Sequence, residues 1–174
     1  MLTADLKQAI REVPDFPKPG INFYDVSTLF RDAIAFRNAI QGMCKPYRDQ
    51  QIDLLAGIEA RGFVLAAAMA LELKLGFLMV RKAGKLPGET ACESYSLEYG
   101  DAKIEIHADA IEAGQRVLVV DDLLATGGTA AATGRLVERL GGHLLGYAFM
   151  VELGFLSGRE SLPEKEVFSL LHYA

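Results

Sequence analysis

The residues best suited to chemistry lie in one string, VLVVDDLLATGGTAAA, which begins at Val117. Its first four residues are apolar and predict a buried strand, and two carboxylates, Asp121 and Asp122, follow at the carboxyl end of that strand. Residues 123–126 turn the chain, and the glycines after them open a helix. The turn amides, two threonine hydroxyls and a helix N-terminus together predict an anion site, best suited to a phosphate.

The carboxylate pair beside this site must do something other than hold phosphate. Hydrogen bonds to sugar hydroxyls are one role, and Mg²⁺ binding is the other. The plainer interpretation is a turn with glycines for geometry and an aspartate that caps the helix, but the full D-D-x-x-A-T-G-G-T string is far more specific. It is not a Walker A loop, because no lysine follows the glycines, and it is not the dinucleotide sequence G-x-G-x-x-G.

A second group of charged residues lies at Arg81, Lys82 and Lys85, ahead of a stretch with further glycines. Three cations there suit a polyphosphate, whereas the alternative is a solvated charge cluster, which we favour for Lys82. The three histidines have no ligand spacing with the cysteines, so no structural metal is predicted.

The composition predicts one globular domain over residues 1–174. Hydrophobic residues make up 51% and charged residues 24% of the chain, which excludes disorder, collagen and coiled coil. Two cysteines exclude a disulfide scaffold and fit a reducing, cytoplasmic setting. A net charge of −5 without a basic block argues against nucleic acid or anionic lipid as a partner. Neither a membrane span nor a signal peptide is predicted.

The apolar periodicity predicts strands that alternate with helices, which is typical of a parallel sheet covered by helices on both faces. The first helix is expected from Thr3 to Val13, ended by Pro14, and an irregular loop, DFPKPGINFYD, follows it. The predicted strands are residues 52–58, 76–80, 116–120, 143–151 and 167–171, and the other predicted helices are residues 34–47, 61–75 and 128–140. Residues 81–107 break this rhythm and predict a mobile loop followed by an antiparallel hairpin.

These segments resemble a known family. The DDLLATGGT string resembles the phosphoribosyl pyrophosphate (PRPP) motif of the type I phosphoribosyltransferases. Five further segments resemble the adenine phosphoribosyltransferases among them, in the expected order: DFPKPGINFYD, GIEARGF, RKAGKLPGE, SYSLEYG and VFSLLHYA. The resemblance implies an α/β fold of that type, with an N-terminal segment over residues 1–32 that contributes to a purine pocket and a lid over residues 82–107.

The resemblance implies transfer of ribose 5-phosphate from PRPP to N9 of adenine, which gives AMP and pyrophosphate. Asp121 and Asp122 would then lie near the ribose hydroxyls and favour a cationic transition state at C1′. The 5′-phosphate would be bound by the residues of the turn, which are Ala125, Thr126, Gly127, Gly128 and Thr129.

For the pyrophosphate, the resemblance implies the loop at Glu59, Ala60 and Arg61, together with Arg81 and Lys85. Such loops often hold a cis peptide, which we expect between Ala60 and Arg61. Taken alone, Arg61 is equally compatible with a surface arginine at a helix start. A role for Arg81 across a dimer interface is a further implication.

Glu98 resembles the catalytic glutamate of the family, a proposed general acid/base at the purine, and Tyr99 would help to close the lid. Lid closure would exclude water, which competes as a nucleophile.

The purine pocket is implied at Asn22, Phe23 and Tyr24, with Phe23 on one face of adenine and Leu123 on the other. The Asn22 carbonyl would accept from the 6-amino group, and the Tyr24 amide would donate to N1, so a 6-oxo purine should be rejected. The family commonly has arginine where Tyr24 stands. From the residues alone, Phe23 is equally compatible with a core position.

The resemblance further implies Mg²⁺ carried by PRPP, with no direct metal site on the protein, and a homodimer. Two alternatives remain open at this point. One is a phosphoribosyltransferase for another purine, and the other is a PRPP-binding regulator with the same fold.

Overall fold

The structure, a computed structural model, describes residues 3–16, 18–97 and 100–174. The helices are α1 (Thr3–Gln8), α2 (Ser27–Arg31), α3 (Ala33–Cys44), α4 (Arg61–Leu73) and α5 (Gly128–Arg139). The strands are β1 (Arg11–Pro14), β2 (Asn22–Asp25), β3 (Leu54–Ile58), β4 (Gly76–Lys82), β5 (Thr90–Leu97), β6 (Gly100–His107), β7 (Arg116–Leu124), β8 (His143–Leu153) and β9 (Glu166–Tyr173). Short 3₁₀ turns cover Lys45–Tyr47, Gly154–Leu156 and Gly158–Ser161.

The main sheet has the order β5-β6-β4-β3-β7-β8-β9. Strands β4, β3, β7, β8 and β9 are parallel, whereas β6 is antiparallel to β4 and to β5. The predicted α/β fold with a mostly parallel sheet and an antiparallel hairpin is therefore confirmed. Because β3 lies between β4 and β7, the carboxyl ends of these three strands meet at one edge of the sheet.

The sheet is buried on both faces. On one face, α3 and α4 pack over β3 and β8, with Met43, Leu65 and Met69 fully buried. On the other face, α5 packs with Leu136 against Tyr147. None of the helices in the described ranges is both long enough and apolar enough to cross a bilayer.

The N-terminal prediction was wrong in part. The first helix ends at Gln8, and residues 11–14 form β1, which pairs antiparallel with β2 in a separate two-stranded sheet. Leu6 and Ile10 are buried, as their spacing predicted, but Val13 is opposite Phe23 in the sheet. Pairing with a distant segment therefore overrides a helical spacing that fits only the start of the segment.

Other boundaries shift for identifiable reasons. The helix predicted to reach Tyr47 ends at Cys44 and tightens into a 3₁₀ turn, because Pro46 has no N–H to continue it. Strand β7 runs past its predicted end at Val120 as far as Leu124, so Asp121 and Asp122 are strand residues and the turn begins only at Ala125. Pairing of Asp121 with Phe149 of β8 continues the ladder there.

Two glycines let α4 approach the sheet closely at the edge where the strands end. A Cβ at Gly57 would lie 2.7 Å from the Ala66 Cβ, and a Cβ at Gly62 would lie 2.8 Å from the Asp121 Oδ1. The first turn of α4 therefore lies directly against the carboxylate at the end of β7.

Tyr147 offers a test of the core. Its ring is fully buried, its hydroxyl has no hydrogen-bond partner among the described residues, and burial raises its pKa to about 12. An unpaired buried hydroxyl costs about 1–3 kcal/mol. We therefore expect Tyr147→Phe to raise the free energy of unfolding in urea by about 1 kcal/mol. Tyr47→Phe is the control, because the Tyr47 hydroxyl is not a buried unpartnered group; an equal gain there would contradict the explanation.

Candidate active site

A cleft of about 400 Å³ opens where β3, β4 and β7 end. A smaller recess of about 80 Å³ adjoins it and shares Asp121, Leu123 and Thr129 with it. The cleft is lined by Ile58, Glu59, Ala60, Arg61, Val80, Lys82, Tyr95, Ile104, Asp121, Asp122, Leu123 and Thr129. The recess is lined by Asp121 and by residues 123–130 with Phe149. Residues predicted from three separate segments thus meet around two adjoining spaces that share lining residues.

The recess is formed by the turn between β7 and α5. Gly127 stands immediately before α5 with a φ of +81°, which glycine adopts without steric cost. No side chain caps the N-terminus of α5, so its first-turn amides have no side-chain acceptor in the described parts of the chain. These amides and the positive end of the helix dipole fit an anion in the recess.

The two carboxylates at the end of β7 have different surroundings. Asp122 is buried and accepts a hydrogen bond from the Arg61 Nε at 2.5 Å, which makes it one partner of an ion pair. The Oδ1 of Asp121 accepts the Asp122 amide at 2.9 Å. Burial and the negative charge of Asp122 raise the pKa of Asp121 well above its usual range. Asp121 is therefore the carboxylate that gains most from a positive charge in the cleft.

The Glu59 carboxylate accepts hydrogen bonds from Arg81 and Lys82, two of the three cations predicted at this point of the chain. Its Oε2 accepts from the Arg81 Nε and Nη2 at 3.2 and 3.1 Å, and its Oε1 accepts the Lys82 amide at 2.5 Å. The Arg81 Nη1 also donates to the Lys85 carbonyl at 3.0 Å. The Glu59 carboxylate thus orients Arg81 at the end of β4. Lys82 is exposed to solvent and also lines the cleft.

Glu105 supports the same segment, and sequence reasoning missed it. This buried carboxylate on β6 accepts the amides of Lys85 and Leu86, both at 2.7 Å. Backbone hydrogen bonds hold its pKa below the usual range. In the sequence KIEIH, Glu105 alternates with two buried isoleucines and so reads as solvent-facing. No local signal showed that the loop after β4 folds back over it.

The cis peptide lies one bond earlier than expected. It joins Glu59 to Ala60, not Ala60 to Arg61. Ala60 already has right-handed helical angles and is the N-cap of α4. The bond after it therefore belongs to the first helical turn, which is built from trans peptides.

The N-terminal segment meets the cleft through Arg61. Its guanidinium carbon lies 5.7 Å from the centroid of the Phe23 ring, which also has an edge contact with Phe16. The neighbouring Tyr24 has a different environment, because its ring packs on Tyr173 with a centroid distance of 4.0 Å.

The backbone of β2 has a free edge. Val13 is opposite Phe23, and Pro14 is opposite Asn22. Because Pro14 has no N–H, the pair that exchanges both hydrogen bonds in this register is Val13 with Phe23. The Asn22 carbonyl and the Tyr24 amide therefore point away from β1, to an edge that pairs with no other strand in the described residues.

Two predicted residues, Glu98 and Tyr99, lie outside the described residues. Within the described ranges, no group of three or more His, Cys, Asp or Glu side chains is placed to hold a metal ion.

Comparisons with known proteins agree with this geometry. Residues 30–170 match the family model of the phosphoribosyl transferase domain. The chain is 54% identical to the adenine phosphoribosyltransferase of Koribacter versatilis, over 97% of this chain and 92% of that protein. The chain belongs to the adenine phosphoribosyltransferase family.

Solved structures of the family are also similar. The Rhodothermus marinus adenine phosphoribosyltransferase matches with a TM-score of 0.94 and 51% identity, covering 98% of each chain. The Saccharomyces cerevisiae adenine phosphoribosyltransferase, crystallised with adenine and an imino-altritol bisphosphate, matches with a TM-score of 0.92 and 44% identity, covering 97% of this chain and 98% of that chain.

Proposed function

We propose that the cleft and its recess are the active site at which this chain joins adenine to the ribose of PRPP. As a member of its family, the chain is a pentosyltransferase that makes AMP in purine salvage and releases pyrophosphate. The observation that carries the site assignment is the order of two adjoining spaces: the anion recess shares Asp121 with the cleft, and the cleft is lined further by Asp122, Arg61 and Lys82. PRPP has the matching order of 5-phosphate, ribose and pyrophosphate.

In this assignment, residues 125–129 bind the 5-phosphate through amides and threonine hydroxyls. Asp121 and Asp122 lie against the ribose, where positive charge develops at C1′ as the pyrophosphate leaves. A carboxylate held beside that atom stabilises the transition state more than the neutral ground state. The raised pKa of Asp121 fits this role, because a cationic centre favours its charged form.

The pyrophosphate lies against Arg61, Arg81, Lys85 and the backbone at Glu59 and Ala60. Arg61 uses its Nε for Asp122, and within the described ranges its other guanidinium N–H groups have no acceptor, so they are available to a phosphate oxygen. Arg61 therefore links the ribose carboxylates to the leaving group. The support for Arg81 is its orientation, because Glu59 and the Lys85 carbonyl hold its guanidinium at the end of β4.

Adenine lies between Phe23 and Leu123, with its edge against β2. The free edge of β2 supports this proposal, because it offers one carbonyl acceptor at Asn22 and one amide donor at Tyr24. Adenine needs that pair, whereas hypoxanthine has the reverse pattern and would leave both groups unpaired. Glu98 is the proposed acid/base at the purine, and Tyr99 is the proposed lid residue.

The residues fit Mg²⁺ carried by PRPP. Two adjacent carboxylates with mutual repulsion, one of them with a raised pKa, favour a nearby cation whose own ligands are water and the oxygens of PRPP. Asp121 would face the ion, while Asp122 is paired with Arg61. When bound, Mg²⁺ supplies charge neutralisation of the pyrophosphate.

The single domain over residues 1–174, the homodimer, the cytoplasmic location and the absence of nucleic-acid and membrane partners stay predictions.

The test is pyrophosphate release from PRPP, measured separately with adenine, hypoxanthine, guanine and xanthine as the acceptor base, with AMP identified as the nucleotide formed from adenine. We expect release with adenine and a kcat/KM about 10⁴-fold lower with the 6-oxo purines, the scale at which a site rejects a substrate that leaves its buried polar groups unpaired. Preference for a 6-oxo purine would contradict the pocket, and binding of PRPP without release for any base would favour the regulator.

A further inference from the structure

The connection between β8 and β9 packs against residues 125–127 of the turn that forms the recess, which we call the phosphate turn. Residues 154–161, which we call the brace, consist of two 3₁₀ turns joined by Ser157. The second turn begins at Gly158, which is buried. Neither the sequence motifs nor the proposed chemistry assigns this segment a role.

The contact between the brace and the phosphate turn is a backbone contact in both directions. A Cβ at Gly127 would overlap the Gly158 carbonyl oxygen and lie 3.1 Å from the Ser161 Cβ. A Cβ at Gly158 would overlap the Ala125 carbonyl oxygen and lie 3.0 Å from the Ala125 carbonyl carbon. The two glycines therefore let the main chains touch, and the atoms that a Cβ would overlap are main-chain carbonyl oxygens, which cannot rotate away as the end of a side chain could.

An ion pair ties the brace to the sheet. The Arg159 Nε and Nη2 donate to the two carboxylate oxygens of Glu152 at 2.6 and 2.7 Å, and its Nη1 donates to the Val167 carbonyl at 2.9 Å. Glu152 is buried on β8, and His172 of β9 lies 3.2 Å from its Oε2. A bidentate pair with a buried carboxylate fixes the direction of the Arg159 guanidinium. It therefore also fixes the position of Arg159, which directly follows Gly158.

We propose that Gly158, held in place by the Arg159–Glu152 pair, is a positioning residue that sets the phosphate turn for the 5-phosphate of PRPP. This inference rests on the proposed function of the recess. Phosphate binding by backbone amides depends on the direction of each N–H. The brace packs directly against the turn at 125–127 and so fixes the position of these amides. Displacement of the brace would move the amides of the turn, whereas the unpaired edge of β2 and the cations at the end of β4 would keep their positions.

The first test is Gly158→Ala, with Gly154→Ala as the matched control. A Cβ at Gly154 would meet only the Tyr173 carbonyl oxygen, at 3.3 Å, and lies away from the phosphate turn. We expect Gly158→Ala to raise KM for PRPP and Kd for AMP by about tenfold to a hundredfold, the scale of small misplacements at a site. KM for adenine should change less than twofold, and Gly154→Ala should leave all three constants near those of the wild type.

The second test is Arg159→Lys, which keeps the charge but loses the bidentate geometry, so it tests the brace without adding a Cβ at the contact. We expect a selective rise in KM for PRPP of a few fold. If Gly158→Ala does not fold, this variant decides: equal changes in both KM values, or no change, would overturn the proposal. Because AMP affinity needs no turnover, equal AMP affinity in wild type and variant would count against positioning, whereas a wild type that makes no AMP would count against the proposed function.

Discussion

Replacing Asp121 and Asp122 together with asparagine is expected to lower kcat for AMP formation by about a hundredfold or more, the scale of losing one aligned electrostatic group. Asparagine keeps the shape of both side chains but removes the negative charge beside C1′. Binding of AMP should weaken much less, because in the proposed site its phosphate is held by the turn at 125–129, and its ribose carries no positive charge. The measurement is kcat from initial rates, set against Kd for AMP by calorimetry.

Asp53→Asn is the matched control for this pair. Asp53 is also an aspartate bound to an arginine, with Arg116 Nε and Nη2 donating to it at 2.9 Å, but it lies at the opposite end of the sheet from the cleft. Its removal should leave kcat unchanged. If the double variant loses AMP affinity and turnover in equal measure, the carboxylates act in ground-state binding and the transition-state role is wrong.

The single variant Asp121→Asn has a separate expected effect on stability. Burial and the charge of Asp122 raise the pKa of Asp121 above its ordinary value of 3.8. Between that value and the raised one, the folded chain holds a proton that the unfolded chain has released, so stability falls as pH rises. An asparagine side chain cannot ionise, so the Asp121→Asn variant does not lose stability in this way as the pH rises. We expect its free energy of unfolding to exceed that of the wild type at pH 8, with a smaller difference at pH 4, in urea titrations at both pH values.

The parts of the fold that the sequence predicted are those with a local periodic signal. Strand β8 and helices α4 and α5 were predicted within a few residues, because each carries its own apolar pattern and α5 is followed by two glycines. Strand β1 was mistaken for helix, since four residues carry too little pattern to outweigh the spacing before them. Its pairing with β2, whose nearest paired residues are eight positions apart, is a long-range contact that the apolar spacing before Val13 does not indicate.

The site divides in the same way. The turn at 125–129 was singled out because its chemistry is contiguous in sequence, and the loop at Glu59–Arg61 because a contiguous segment resembles the family; the structure places the turn around the recess and the loop around the adjoining cleft. Glu105 and Gly158 were missed, since each acts through backbone groups of a segment far along the chain. The sequence shows a carboxylate in a strand and a glycine in a connection, and neither type indicates which amide or carbonyl it will meet.

The base pocket gives the second large expected effect. Phe23→Ala should remove one stacking face from adenine and cost about 1–3 kcal/mol of binding free energy, the scale of base–aromatic stacking. The loss should appear in kcat/KM for adenine, with KM for PRPP less affected, because Arg61 would bind a phosphate oxygen through its own N–H groups, and the Phe23 ring only neighbours its guanidinium, 5.7 Å from the ring centroid.

Tyr24→Ala is the informative partner of that variant, because it changes the side chain and keeps the amide that reads the base. The Tyr24 ring packs on Tyr173, so its removal should lower stability while adenine stays preferred over hypoxanthine. Tyr173→Ala removes the same contact from the other side and should reproduce the stability loss with normal base preference. The comparison is kcat/KM for adenine and hypoxanthine in all three variants. If Tyr24→Ala abolishes the preference while Phe23→Ala is nearly silent, the purine is not bound at β2 and must be recognised elsewhere in the cleft.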